Sequence, residues 1–174
     1  MSIEPDTKDW TWVLERSCPE CRFDARAFDV AGTAGTLRDN ADAWARLLGG
    51  DEAALRRRPD PATWSALEYA CHVRDVFLTF DGRLVRMLTE ENPAYANWDQ
   101  DATAVAGRYG EQDPTVVATE LRAAVATLAD RFDGVAGGQW ARTGVRSDGA
   151  RFTVESLARY LVHDPVHHLH DDGA

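Results

Sequence analysis

The stretch Thr115-Val116-Val117-Ala118-Thr119-Glu120-Leu121-Arg122-Ala123-Ala124-Val125-Ala126-Thr127-Leu128-Ala129-Asp130-Arg131-Phe132 carries its apolar side chains at Val117, Leu121, Ala124, Val125, Leu128 and Phe132. Spacings of three and four put all six on one face of an α-helix, with none of the two-residue alternation of a half-buried strand. The pattern predicts a helix over 115–135, and Gly137 and Gly138 beyond it supply the stop. So one-sided a helix must bury its apolar stripe against other elements.

Working outward, the same period returns. Over 31–48 it runs through Leu37, Ala41, Trp44, Leu47 and Leu48 and stops at Gly49 and Gly50. After a loop over 56–61, Ser65-Ala66-Leu67-Glu68 matches a capping box, and Trp64 with Tyr69 fits a hydrophobic staple. A second helix is therefore expected over 66–91. Near the C-terminus Thr153 reads as an N-cap, stapled by Phe152 and Leu157, so that a fourth helix starts at Val154. Strand alternation is essentially absent. The expectation is all-α: a four-helix bundle over 31–174, preceded by an irregular arm over 1–30 that holds Cys18-Pro19-Glu20-Cys21 and one short helical turn at 10–14. The connection over 92–114, between the second and third helices, is long enough to be functional or to carry a short helix. Its Trp98, Tyr109 and acidic residues are placed to rim a pocket. The segment 140–151 reads as loop.

With 174 residues and 44% hydrophobic content the chain supports one core without disulfide staples. A net charge of −10 argues against nucleic acid and against anionic membrane surfaces, both of which need clustered Lys and Arg. No apolar run approaches the roughly 20 residues of a membrane span. Met1-Ser2-Ile3-Glu4-Pro5-Asp6 lacks the basic and apolar regions of a signal peptide, so a cytoplasmic protein acting on a small molecule is expected.

The chemistry sits in the histidines. His163 and His167 stand four apart, so on a helix they share a face, roughly 5–6 Å from each other. His72 lies at the edge of the apolar arc formed by Tyr69, Val76, Phe77, Phe80, Leu84 and Met87. Three imidazoles from two helices would hold a divalent metal and leave one position open, as catalytic rather than structural sites do. Pro165 removes a backbone donor between the paired histidines and predicts a kink there, which leaves His168, or even His170, as an alternative to His167. Asp75 and Asp164 are candidates to orient the ligand imidazoles, and Asp75 or Glu68 to serve as general base.

The bundle, the His of Trp64-Ser65-Ala66-Leu67-Glu68-Tyr69-Ala70-Cys71-His72 and the late His-x-x-x-His together resemble the DinB-like superfamily, which includes mycothiol-dependent maleylpyruvate isomerases and relatives of the bacillithiol transferases. The resemblance covers roughly residues 31–170. It implies His72, His163 and His167 as ligands of zinc or nickel, with water or a low-molecular-weight thiol on the open position. Pro165, His168, His170 and the arm depart from the pattern.

Three functions are open, of which the residues supply the metal and the resemblance supplies the thiol of the first. One is a metal-dependent thiol transferase or isomerase using a mycothiol-type thiol. The second is a metal-dependent hydrolase with activated water, and the third a non-catalytic metal-binding stress protein. Ser-His-Asp chemistry lacks its Gly-x-Ser-x-Gly elbow, and no phosphate-cradling loop is present. Arg74, Arg83 and Arg159 are candidates for an anionic substrate, with structural ion pairs the other reading. Cys18 and Cys21 are open to three readings: reduced thiols, a reversible disulfide, or half of a four-ligand site completed by His168 and His170. Cys71 reads as core, and a homodimer through a bundle face stays open.

Overall fold

Helix α3 (Ala66–Thr89) begins where its sequence predicts because two side chains satisfy the first free backbone donors. The Ser65 hydroxyl accepts from the Glu68 N–H (3.3 Å), and the Glu68 carboxylate accepts from the Ser65 N–H (2.9 Å). Trp64 packs on Tyr69 with ring centres 5.5 Å apart and completes the staple. The computed structural model describes residues 9–171; the reading of residues 1–6 falls outside them.

The other long helices are α1 (Thr33–Leu47), α5 (Pro114–Asp133) and α6 (Val154–Asp171). Two short ones, α2 (Glu52–Leu55) and α4 (Gln100–Ala106), lie in connections. Both α1 and α3 pack against α5 and against α6, so the order around the bundle is α1, α5, α3, α6. Trp44, Leu67, Phe77, Leu121, Leu128, Leu157 and Leu161, all buried, fill the space between the four. No helix among the described residues is long and apolar enough to cross a membrane.

One element departs from the all-helical expectation. A small sheet joins β1 (Ala94–Tyr95), β2 (Thr143–Arg146) and β3 (Arg151–Thr153). Strands β1 and β2 pair in parallel, β2 and β3 antiparallel. The hairpin between β2 and β3 turns through Gly149 at φ +93, a region that favours glycine. At Gly144 a Cβ would come within 2.9 Å of Met87 and of Tyr95, so only a bare backbone lets the sheet lie against α3. The sheet fixes both connections at once: β1 leads into the loop bearing Trp98, and β3 runs straight into α6. There Thr153 and Ser156 cap each other's backbone N–H groups (2.9 and 3.0 Å).

The arm crosses α6. A 3-10 turn in the arm spans Trp10–Leu14. Further along, Arg159 of α6 donates to the carbonyls of Ala25 and Phe28, tying the arm down.

Candidate metal centre

His72, on the second full turn of α3, has no exposed surface, and neither of its ring nitrogens has a hydrogen-bond partner. Trp98 stacks flat on it (5.4 Å, 8° between planes) and Trp64 closes another side at 5.3 Å. Across the bundle, α6 presents Asp164, whose Oδ1 lies 3.3 Å from His72 Nε2, and His168, whose ring stands edge-on at 4.9 Å. Ligand atoms of His72, Asp164 and His168 all lie within 4.8 Å of one another. Asp164 Oδ1 and His168 Nδ1 are, like the His72 nitrogens, shut off from solvent without a hydrogen bond.

Each buried polar atom left unsatisfied costs on the order of 1–3 kcal/mol. A shared cation would take one ligand atom from each of the three converging side chains, so the donor set of two imidazoles and a carboxylate fits a divalent metal. Burial pushes the His168 imidazole down to about 3, which leaves it neutral at pH 7 with a free lone pair. Burial pushes the Asp164 carboxyl up, but the imidazoles of His72 and His168 outweigh it and hold Asp164 below the carboxylate range.

His163 and His167 do not join His72. They face the arm, where their ligand atoms group with those of Cys18 and Cys21. The reason lies in the helical phase of α6. Its buried seam runs Leu157, Leu161, and the same spacing of four and three continues to Asp164 and then His168. His163 and His167 sit one residue, about 100°, off that seam. The motif therefore holds two interleaved i, i+4 pairs, and only the pair containing a carboxylate faces α3. Asp164, expected to orient a ligand, itself groups with His72 and His168; its signal was the seam. Through Pro165 the helix is uninterrupted, with Asn40 Nδ2 donating to the Pro165 carbonyl (2.8 Å).

Asp75 is not at this centre. Its carboxylate accepts from the Tyr109 hydroxyl (2.5 Å) and from Arg74 Nε (2.8 Å), on the side of α3 that faces α5. Glu68 is held by Arg58 as well as by its cap, so neither acid is free to act as base. Arg74 pairs with Glu120 and Asp75. Arg83 is buried over Phe80 and Tyr95, and Arg159 holds the arm. Cys71 is buried beside the Tyr109 carbonyl, and burial pushes its thiol up to about 12. Cys18 and Cys21 are free thiols, and they group with His163 and His167 rather than with His168 and His170.

Next to the centre lies a cavity of about 90 Å³ lined by Trp10, Gln100, Tyr160, His163, Asp164, His167 and His168. The arm thus supplies one wall, through Trp10. Tyr160 receives a long contact from Arg146 (3.4 Å), and burial keeps its phenol protonated by raising its pKa.

The sequence profile of the DinB superfamily matches residues 35–171. No curated protein matches the sequence at a significant level. Among solved structures, YfiT from Bacillus subtilis, described as a probable metal-dependent hydrolase with an unusual four-helix bundle topology, superposes with a TM-score of 0.64 at 16% identity, covering 98% of this chain and 91% of its own. A mycothiol-dependent maleylpyruvate isomerase superposes at 0.69 with 13% identity, over 86% of this chain and 63% of its own. A variant of that isomerase gives 0.69 at 15% identity, with the same coverage. At these identities the likeness is one of fold.

Proposed function

Since the chain belongs to the DinB superfamily, we propose that it is a metal-dependent enzyme whose divalent cation is held by His72, Asp164 and His168, with a low-molecular-weight thiol as co-substrate in a transfer or isomerisation reaction. The observation that carries this reading is the convergence of His72, Asp164 and His168, each with a buried polar atom that has no hydrogen bond, beside a cavity. Three protein ligands leave a position for a reactant, as in catalytic zinc sites. A divalent cation there would supply Lewis acidity, lowering the pKa of a bound thiol or water.

The surrounding residues favour thiol over water. Hydrolysis calls for a base beside the nucleophile. The cavity wall holds no carboxylate other than Asp164, itself a ligand, while Asp75 and Glu68 are engaged elsewhere. A thiolate attacks as it is and needs no base at that moment. Trp98 and Trp64 exclude water from His72, and the Tyr160 hydroxyl and the Gln100 amide are the groups able to donate to an oxygen of the electrophile. Zinc suits a donor set of two imidazoles and a carboxylate, and nickel is the second choice.

The hydrolase reading has one support, the description of the YfiT neighbour. Metal-loaded protein assayed with mycothiol-type thiols and cis-unsaturated keto acids should turn over only when thiol is present. Thiol-independent cleavage of simple esters or amides would transfer the assignment to hydrolysis.

A further inference from the structure

Cys18 and Cys21 come from the arm and His163 and His167 from α6, yet all four ligand atoms lie within 4.8 Å of one another. We propose that these four side chains form a structural zinc site, separate from the His72 centre, that clamps the arm onto α6.

Distances agree with this. Tetrahedral zinc with sulfur at roughly 2.3 Å and nitrogen at roughly 2.0–2.1 Å sets neighbouring sulfur and nitrogen ligands about 3.6 Å apart. Cys18 Sγ lies 3.7 Å from His167 Nδ1. The residues are sequestered: Cys18 is 2% exposed, His163 4% and His167 6%, and His163 Nε2 has no hydrogen-bond partner. The other nitrogen of His167, Nε2, faces Glu20 Oε2 at 3.2 Å and Asp171 Oδ2 at 3.4 Å. Metal-bound histidines typically present their remaining N–H to a carboxylate in this way, which fixes the tautomer.

The turn between the cysteines is built for sulfur. Cys18 N–H donates to the Phe23 carbonyl and Arg22 N–H to the Cys18 carbonyl, both at 2.9 Å, with Arg22 at φ +63. Burial pushes the Cys21 thiol up to about 11, and the Phe23 amide acts against that shift. Trp10, Trp12 and Phe23 surround the His163 ring at 5.9, 6.4 and 6.1 Å and keep water out. Two sulfurs and two imidazoles select zinc among common divalent ions. Its entry releases two thiol protons to solvent, and the two thiolates neutralise the ion. With four protein ligands no position is left for a reactant, so the role is to hold Trp10 at the cavity wall.

Cobalt(II) loading of the full-length, metal-stripped protein tests this without a mutation. The expected result is sulfur-to-cobalt charge-transfer absorption with tetrahedral ligand-field bands, retained in His72→Ala and lost in Cys18→Ser/Cys21→Ser. Elemental analysis should show the double serine variant losing one zinc per chain. Wild-type protein that binds no cobalt, or binds it without sulfur absorption, overturns the site, as does full zinc content in the double serine variant. Loss of metal in His72→Ala alone reports on the other centre, so the two assignments fail separately.

Discussion

Two faces of α6, one residue out of phase, carry the same i, i+4 device and end in opposite chemistry. Toward α3, Asp164 and His168 meet one imidazole beside a cavity. Toward the arm, His163 and His167 meet two thiols under three aromatic rings. The difference lies in what the opposing element brings. Helix α3 brings a single His72 to its group, whereas the arm's turn brings two side chains, Cys18 and Cys21. Ligand pairs on a helix do not by themselves say whether a centre is open or closed; the partner element does.

The sharpest way to break this contrast is His72→Ala. It removes the only ligand α3 supplies, and activity should fall by more than the roughly 100-fold typical of losing an outer partner. Metal at the arm-facing group should persist, and steady-state kinetics with metal analysis read both. Next, Leu161→Ala opens a cavity on the seam next to both pairs, for about 2–5 kcal/mol in urea denaturation. Unchanged stability would mean that the helical phase is not set by this seam. Glu20→Ala should weaken only the arm-facing centre, by about tenfold in chelator competition, because Glu20 is a largely exposed acceptor for His167. Equal weakening at both centres would erase the distinction.

The smallest effects are at the start of α3. Ser65→Ala removes a cap worth about 1 kcal/mol and frays the turn that leads to His72, while the sulfur–cobalt signal should stay as it is. Burial pushes the Glu68 carboxyl up, but Arg58 and the cap outweigh it and leave it below its ordinary 4.5. A depressed folded value means that Glu68 stabilises fully above pH 4.5, with the contribution lost as pH falls through the lower value. Glu68→Gln should flatten that acid limb in a pH series of melting curves; an identical limb in both proteins would assign the acid sensitivity elsewhere.

How much of this was legible follows from signal length. Val117 to Phe132, the Ser65–Glu68 box and the Thr153 cap announce helices because each repeats or pairs within a few residues, and their observed ends fall within two residues of expectation. The sheet was not legible. Ala94–Tyr95 is too short for a period, and its partner at Val145 and Arg146 is far along the chain. At the site, His72 announced itself by standing at the edge of an apolar arc. Asp164 did not, since counting imidazoles alone favours His163 and His167. Continuing the Leu157–Leu161 seam by four and three separates the pairs, but that weighs packing phase over residue type. The meeting of Cys21 with His163 depends on how the arm crosses α6, which no local pattern encodes.

Because both pairs ride on one rigid helix, their geometries are mechanically linked. A rotation of α6 that tightens the grip of His163 and His167 also resets the angle at which Asp164 and His168 approach α3. By thermodynamic reciprocity, any factor by which one ion changes affinity for the other acts equally in reverse. Asn40 holds α6 at the Pro165 carbonyl, in the turn that both pairs share.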